Sequence, residues 1–150
     1  MKKFVIGTAA ALMLAGCSAP EPTLIDLATE HVRGSLKDPK SAEFRGVYSF
    51  QLFDAQMICG EVNAKNSMGG YTGFAPFRTS RSADGIFESV DIHSDPKMAK
   101  MTVLGCGFLK NYAETHARPG EVATAADTAA LSTAYGEFVQ RAAHRVISGR

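Results

Sequence analysis

Cysteine is scarce in this chain of 150 residues: Cys17, Cys59 and Cys106 are the whole set, and no two form a CxxC. With only four scattered histidines beside them, the clustered thiolates and imidazoles of a structural zinc site are excluded. Long apolar runs are also lacking. The run Phe4–Ala15 has 12 residues with Gly7 and Thr8 inside it, whereas a membrane-spanning helix needs about 20. Charge of one sign is missing too, with 16 basic against 15 acidic residues and no Lys/Arg block. A nucleic-acid partner held through its phosphates is therefore not expected. There is no HExxH, no phosphate loop, no Ser-His-Asp arrangement and no internal repeat. No cofactor and no metal are expected, and the reading is of a protein that is not an enzyme.

What is present begins at the first residues. Met1-Lys2-Lys3 is a basic start, Phe4–Ala15 an apolar core, and Leu14-Ala15-Gly16-Cys17 a short box followed by the polar Ser18-Ala19-Pro20-Glu21-Pro22. The apolar core fits a secretory signal peptide. The box resembles that of bacterial lipoproteins. The resemblance implies a signal peptide over 1–16, diacylglyceryl (palmitate-type) lipidation of Cys17, cleavage before it, and a lipidated tether over 17–22. Several acyl chains together make a permanent anchor, since each buried CH2 contributes about 0.8 kcal/mol. Ser18, rather than Asp, follows the anchoring cysteine, which favours the periplasmic face of the outer membrane. Losing Lys2 and Lys3 tips the charge balance slightly negative.

With Cys17 lipidated, two cysteines remain in an oxidising compartment, and a Cys59–Cys106 disulfide is the simplest pairing. Closing a loop of that size is worth roughly 4 kcal/mol in the chain-entropy account.

Residues 23–150 read as a single α+β domain: an N-terminal helix, a four-stranded antiparallel meander and two C-terminal helices. Thr23 caps a helix whose stripe is Leu24, Ala28, Val32 and Leu36, with Gly34 weakening it and Asp38-Pro39 stopping it and opening one further turn. "FRGVYSFQLF" (44–53), "QMICGEVNAK" (56–65), "YTGFAPFRT" (71–79) and "IFESVDIH" (86–93) read as strands joined by Asp54-Ala55, "NSMGG" and Asp84-Gly85. Pro76 suggests an edge or a bulge. Asp95-Pro96 opens a segment, 97–115, read as a buried helix, although "TVLGCGFL" with Gly105 and Gly107 also suits a strand. "HARPG" ends it. Leu131, Tyr135, Phe138, Ala142 and Val146 form a last stripe that packs on its own domain, closed by Gly149.

"CGEVNAKNSMGGYTGF" (59–74), together with "DPKSAEF" (38–44), resembles a pattern of small uncharacterised exported proteins of proteobacteria and their phages. The resemblance implies a hairpin around the glycines and carries no activity with it. On that hairpin Asn63, Lys65, Asn66 and Tyr71 form a polar, aromatic-edged candidate binding surface. Turn residues have a structural role by default, which is the competing reading. Asp91, His93 and Asp95 share one face of an extended segment, a pattern that can ligate a metal or move protons. Asp95 also serves as a helix cap, and a metal site needs further ligands at fixed spacing.

The expected function is that of a non-catalytic envelope lipoprotein, a small periplasmic binding module whose partner is an envelope protein or cell-wall component. One alternative is a prophage-encoded surface or superinfection-exclusion lipoprotein. Another is a small periplasmic hydrolase or metal-dependent enzyme using Asp91 and His93.

Overall fold

Where the apolar residues recur decides which elements form, and side-chain hydrogen bonds decide where those elements stop. The computed structural model describes residues 20–118 and 121–148. Residues 1–16 expected to form a signal peptide, Cys17 expected to carry the lipid, and the closing Gly149 lie outside the described residues.

Helix α1, Leu24–Gly34, is short. It is opened by a reciprocal cap, in which the Asp26 amide donates to Thr23 Oγ1 at 3.2 Å and the Thr23 amide donates to Asp26 Oδ2 at 2.9 Å. It ends earlier than its stripe predicts. The Ser35 hydroxyl donates to the Val32 carbonyl at 2.7 Å, and Leu36 packs on the core from the loop beyond. Gly34 is thus the last helical residue and carries none of the cost of a mid-helix glycine. Asp38 makes no side-chain cap, and the turn after it is a single 3-10 turn, Pro39–Ser41.

Four antiparallel strands follow in sequence order: β1 Glu43–Leu52, β2 Ala55–Asn63, β3 Ala75–Arg81 and β4 Asp91–Ile92. The β1–β2 turn is Phe53-Asp54, one residue earlier than predicted. Phe53 takes φ +55°, and its buried ring against Leu52, Leu109 and Tyr112 holds it there. Strand β3 starts at Ala75, later than predicted, because Gly73 at φ +89° turns the chain before it.

The last strand is a larger departure. A run over 86–93 is expected, and only Asp91–Ile92 pairs as a strand, with an isolated bridge at Arg81–Phe87. The Glu88 carbonyl is taken by side chains instead of a ladder amide. It accepts from the Thr79 hydroxyl at 3.2 Å and lies 2.8 Å from His31 Nε2. The alternation is real and part of the pairing is kept, since the Glu88 amide donates to the Ser80 carbonyl at 2.8 Å and the Ser82 amide to the Ile86 carbonyl at 2.9 Å, but no continuous strand forms before Asp91, and Ile86 is left 61 % exposed.

Helices α2, Pro96–His116, and α3, Ala125–Ser148, complete the chain. Asp95 Oδ1 accepts from the Lys97 and Met98 amides, both at 3.0 Å, with Pro96 first in the helix. The 97–115 segment is therefore helical despite its Gly-Cys-Gly. Thr124 and Asp127 repeat at α3 the reciprocal cap of α1, a Thr-x-x-Asp signal that the sequence reading passes over.

Because strand side chains alternate, helices cover both faces of the sheet. Ile58, Val62 and Phe77 face α1, packing on Ala28 and Val32. Cys59 points to the other face, where α2 and α3 bring Leu109, Tyr112, Leu131 and Tyr135 onto Leu52 and Phe53. The Cys59–Cys106 disulfide bonds β2 to α2 across a Cα separation of 6.4 Å.

Candidate binding groove beside the disulfide

Gly46 interrupts the alternation of β1, and an isolated glycine within a strand pattern signals a bulge. The register slips between Arg45 and Tyr48, and Gly46 sits at φ +59°, where only glycine is comfortable. The bulge lifts one edge of the sheet away from α2 and opens a groove of about 330 Å³. Its floor is the Cys59–Cys106 disulfide with the Gly60 backbone, and Thr102 and Val103 of α2 form the opposite wall. A Cβ on Gly60 would stand 2.9 Å from the Phe77 ring and 3.0 Å from the Val47 Cα. Glycine is thus required there by close packing.

The rim carries the groove's polarity. Arg45 Nε donates to Glu61 Oε2 at 2.7 Å, and its guanidinium lies 3.9 Å from the centre of the Phe74 ring. The hydrogen bond to Glu61 raises the guanidinium's pKa further, so Arg45 stays charged. On the other side Lys110 Nζ stands 5.6 Å from the Tyr48 ring, and burial pushes the Tyr48 phenol up. The Thr102 hydroxyl is already bonded to the Met98 carbonyl at 3.1 Å. An apolar side chain fits the interior, and a charged or aromatic neighbour would meet the Arg45–Glu61–Phe74 rim. That combination of an apolar slot with a few orienting polar groups suits binding.

A second cavity, about 320 Å³, lies under α3 around Arg78. Arg78 donates to Asp91 Oδ2 at 2.7 Å and to the Tyr135 hydroxyl at 2.8 Å. Burial works against its charge, but the bonds to Asp91 and Tyr135 outweigh it and raise its pKa overall. Asp91 and His93 both line this cavity, with Asp91 tied to Arg78. Asp95 is turned away to cap α2. Among the described residues no three His, Cys, Asp or Glu side chains come together as a metal site.

The hairpin residues are brought near one another but have unequal freedom. Asn66 Oδ1 accepts from the Met68 and Gly70 amides at 2.9 and 3.1 Å, and Asn63 Oδ1 accepts from Gly73 at 3.0 Å. Both asparagines are shaping the loop, as turn chemistry predicts. Lys65 and Tyr71 are directly paired, with the ammonium 5.5 Å from a half-exposed ring. Lys65 and Asn66, but not Tyr71, line a groove of about 270 Å³ that also includes Leu36, Lys37 and Ile92.

The groove beside the disulfide is missed by the sequence reading; Gly46, inside a strand run, is the one local signal that could have found it. Arg45–Glu61 and Arg78–Asp91 are pairs across strands, and register must be known to find them. The chain matches no protein-family model, no curated protein and no solved structure.

Proposed function

We propose that this protein is a non-catalytic binding module of the bacterial cell envelope, whose residues 23–150 fold as one domain that begins with the N-terminal helix. In this reading Cys17 is lipidated after removal of 1–16, and the anchor places the domain on the periplasmic face of the outer membrane. The partner is an envelope protein or cell-wall component, and it inserts an apolar group beside the disulfide. The observation that carries the binding role is the groove itself, apolar within, with the Arg45–Glu61–Phe74 rim. The Cys59–Cys106 bond supports an oxidising compartment such as the envelope. Lys65 and Tyr71 give the same module a second contact edge.

The test is photo-crosslinking in living cells from position 103 in the groove and position 71 on the hairpin. A partner captured from 103, and lost on Arg45→Ala without loss of melting temperature, supports the groove. Capture from 71 alone would move the site to the hairpin. No capture from either position would end the binding reading. Labelled palmitate entering a Cys17→Ser variant as well as the wild type would refute the anchor.

A further inference from the structure

Four methionines fall within the described residues, Met57, Met68, Met98 and Met101, and the last two share one turn of α2. Positions three apart are neighbours on one helix face, with Cβ atoms about 5–6 Å from each other. Both line the cavity of about 320 Å³ around Arg78, and His93 lines it from the end of β4. Backbone bonds fix all three there. Asp95 takes the Lys97 and Met98 amides at the start of α2, and two residues earlier the His93 amide donates to the Pro76 carbonyl at 3.3 Å.

These donors are uncommitted. The His93 imidazole has no hydrogen-bond partner among the described residues, whereas the rings of His31 and His116 meet the Glu88 carbonyl and the Thr115 hydroxyl. Met98 is 47 % exposed, and Met101 and His93 are half-buried. The charged groups of the cavity are already engaged. Asp91 is bonded to Arg78 at 2.7 Å, which neutralises the guanidinium and takes the carboxylate. Asp95, in capping α2, offsets the positive end of that helix. Two thioethers and one imidazole remain, a soft and uncharged set. Thioether sulfur selects monovalent copper and imidazole also suits it, while hard cations find no free carboxylate.

We propose that Met98, Met101 and His93 form a binding site for a soft monovalent cation, Cu(I). Val139 and Ala143 of α3 close the far wall, and such an apolar shell limits the access of water to a bound ion. The Cys59–Cys106 bond removes the competing thiolates of the domain. Carboxylates, thiols and imidazoles alone make no metal site among the described residues; the thioethers complete one. The sequence reading expects no metal because it weighs His93 only with Asp91 and Asp95. The site is separate from the groove beside the disulfide and does not depend on a partner there.

The first probe is silver(I), a soft monovalent ion without redox chemistry, added to the full chain carrying Cys17→Ser so that no thiol competes. One equivalent should shift the methyl resonances of Met98 and Met101, leave those of Met57 and Met68 in place, and raise the melting temperature. Cu(I), kept under ascorbate in competition with a chromophoric chelator, gives the affinity. Met98→Leu with Met101→Leu, or His93→Gln alone, should weaken it at least about tenfold. Met68→Leu, on the hairpin and 95 % exposed, should change nothing. Unmoved Met98 and Met101 methyls, or equal affinity in the Met98/Met101 double variant, overturns the proposal. So does zinc(II) bound as tightly as Cu(I), which would assign the cavity to Asp91 and His93. The methyl shifts are read with every methionine in place, so the test stands even if a ligand variant misfolds.

Discussion

Gly105 and Gly107 sit two residues apart in α2, and replacing each by alanine should move stability in opposite directions. Gly107 is exposed, and a Cβ there meets nothing within 4 Å. Gly107→Ala should therefore gain the helix-propensity difference of about 0.8–1 kcal/mol. Gly105 is buried, and a Cβ there would stand 3.0 Å from the Tyr135 hydroxyl and 3.5 Å from Arg78 Nη1. The hydroxyl must retreat, yet Arg78 donates to it at 2.8 Å, and its ring packs on Phe108 and Phe138 with centroids at 5.7 and 5.9 Å. A hydrogen bond from a charged donor is worth about 1.5–3 kcal/mol. Set against the same propensity gain, its loss leaves Gly105→Ala destabilised by about 0.5–2 kcal/mol. Urea unfolding reads both variants, with a shifted midpoint and an unchanged m-value. In a Tyr135→Phe background the obstacle is gone, and Gly105→Ala should become stabilising, a coupling that a double-mutant cycle isolates. Should both alanines stabilise the wild-type background equally, the Arg78–Tyr135 contact does not constrain the helix and the reasoning fails.

Replacing Cys59 or Cys106 by alanine should lower stability by about 4 kcal/mol, because the bridge spans 47 residues of chain. The double variant should be no worse than either single one, and two thiols reactive in the unreduced, denatured protein would refute the pairing. Acid should loosen both helix starts. Hydrogen bonds from Thr23 and Thr124 hold the Asp26 and Asp127 carboxyls below the ordinary 3.8. A depressed carboxylate contributes its stability above the unfolded value and loses it as pH falls through the folded one. Thr23→Ala with Thr124→Ala should thus be less stable than wild type at neutral pH, by a gap that narrows below about pH 4. A gap of constant size in denaturant titrations across that range would exclude this account.

The sequence alone determined the features that depend on near neighbours. The Thr23 and Asp95-Pro96 helix starts, the period-2 runs of β1 and β2, and the glycine-rich hairpin all follow from residues within a few positions of one another. The Cys59–Cys106 pairing was reached by counting thiols in an oxidising compartment. Tertiary structure decided the rest. Gly-Cys-Gly in α2 reads locally as a break; the close approach of the Tyr135 hydroxyl accounts for Gly105 and the bond to Cys59 for Cys106, while Gly107 has no structural explanation. The strand expected over 86–93 is reduced to Asp91–Ile92 with a bridge at Phe87, and between them the Glu88 carbonyl meets Thr79 and His31, side chains distant in sequence. The groove is a similar case. Gly46 marks the bulge in the sequence, but the space exists because β1 slips one register against β2 while the disulfide holds α2 over the gap. Short-range hydrogen bonding and periodicity are written residue by residue. Register, close approach and the pairing of Arg45 with Glu61 or Arg78 with Asp91 depend on which strands and helices meet, and packing of the whole chain selects that.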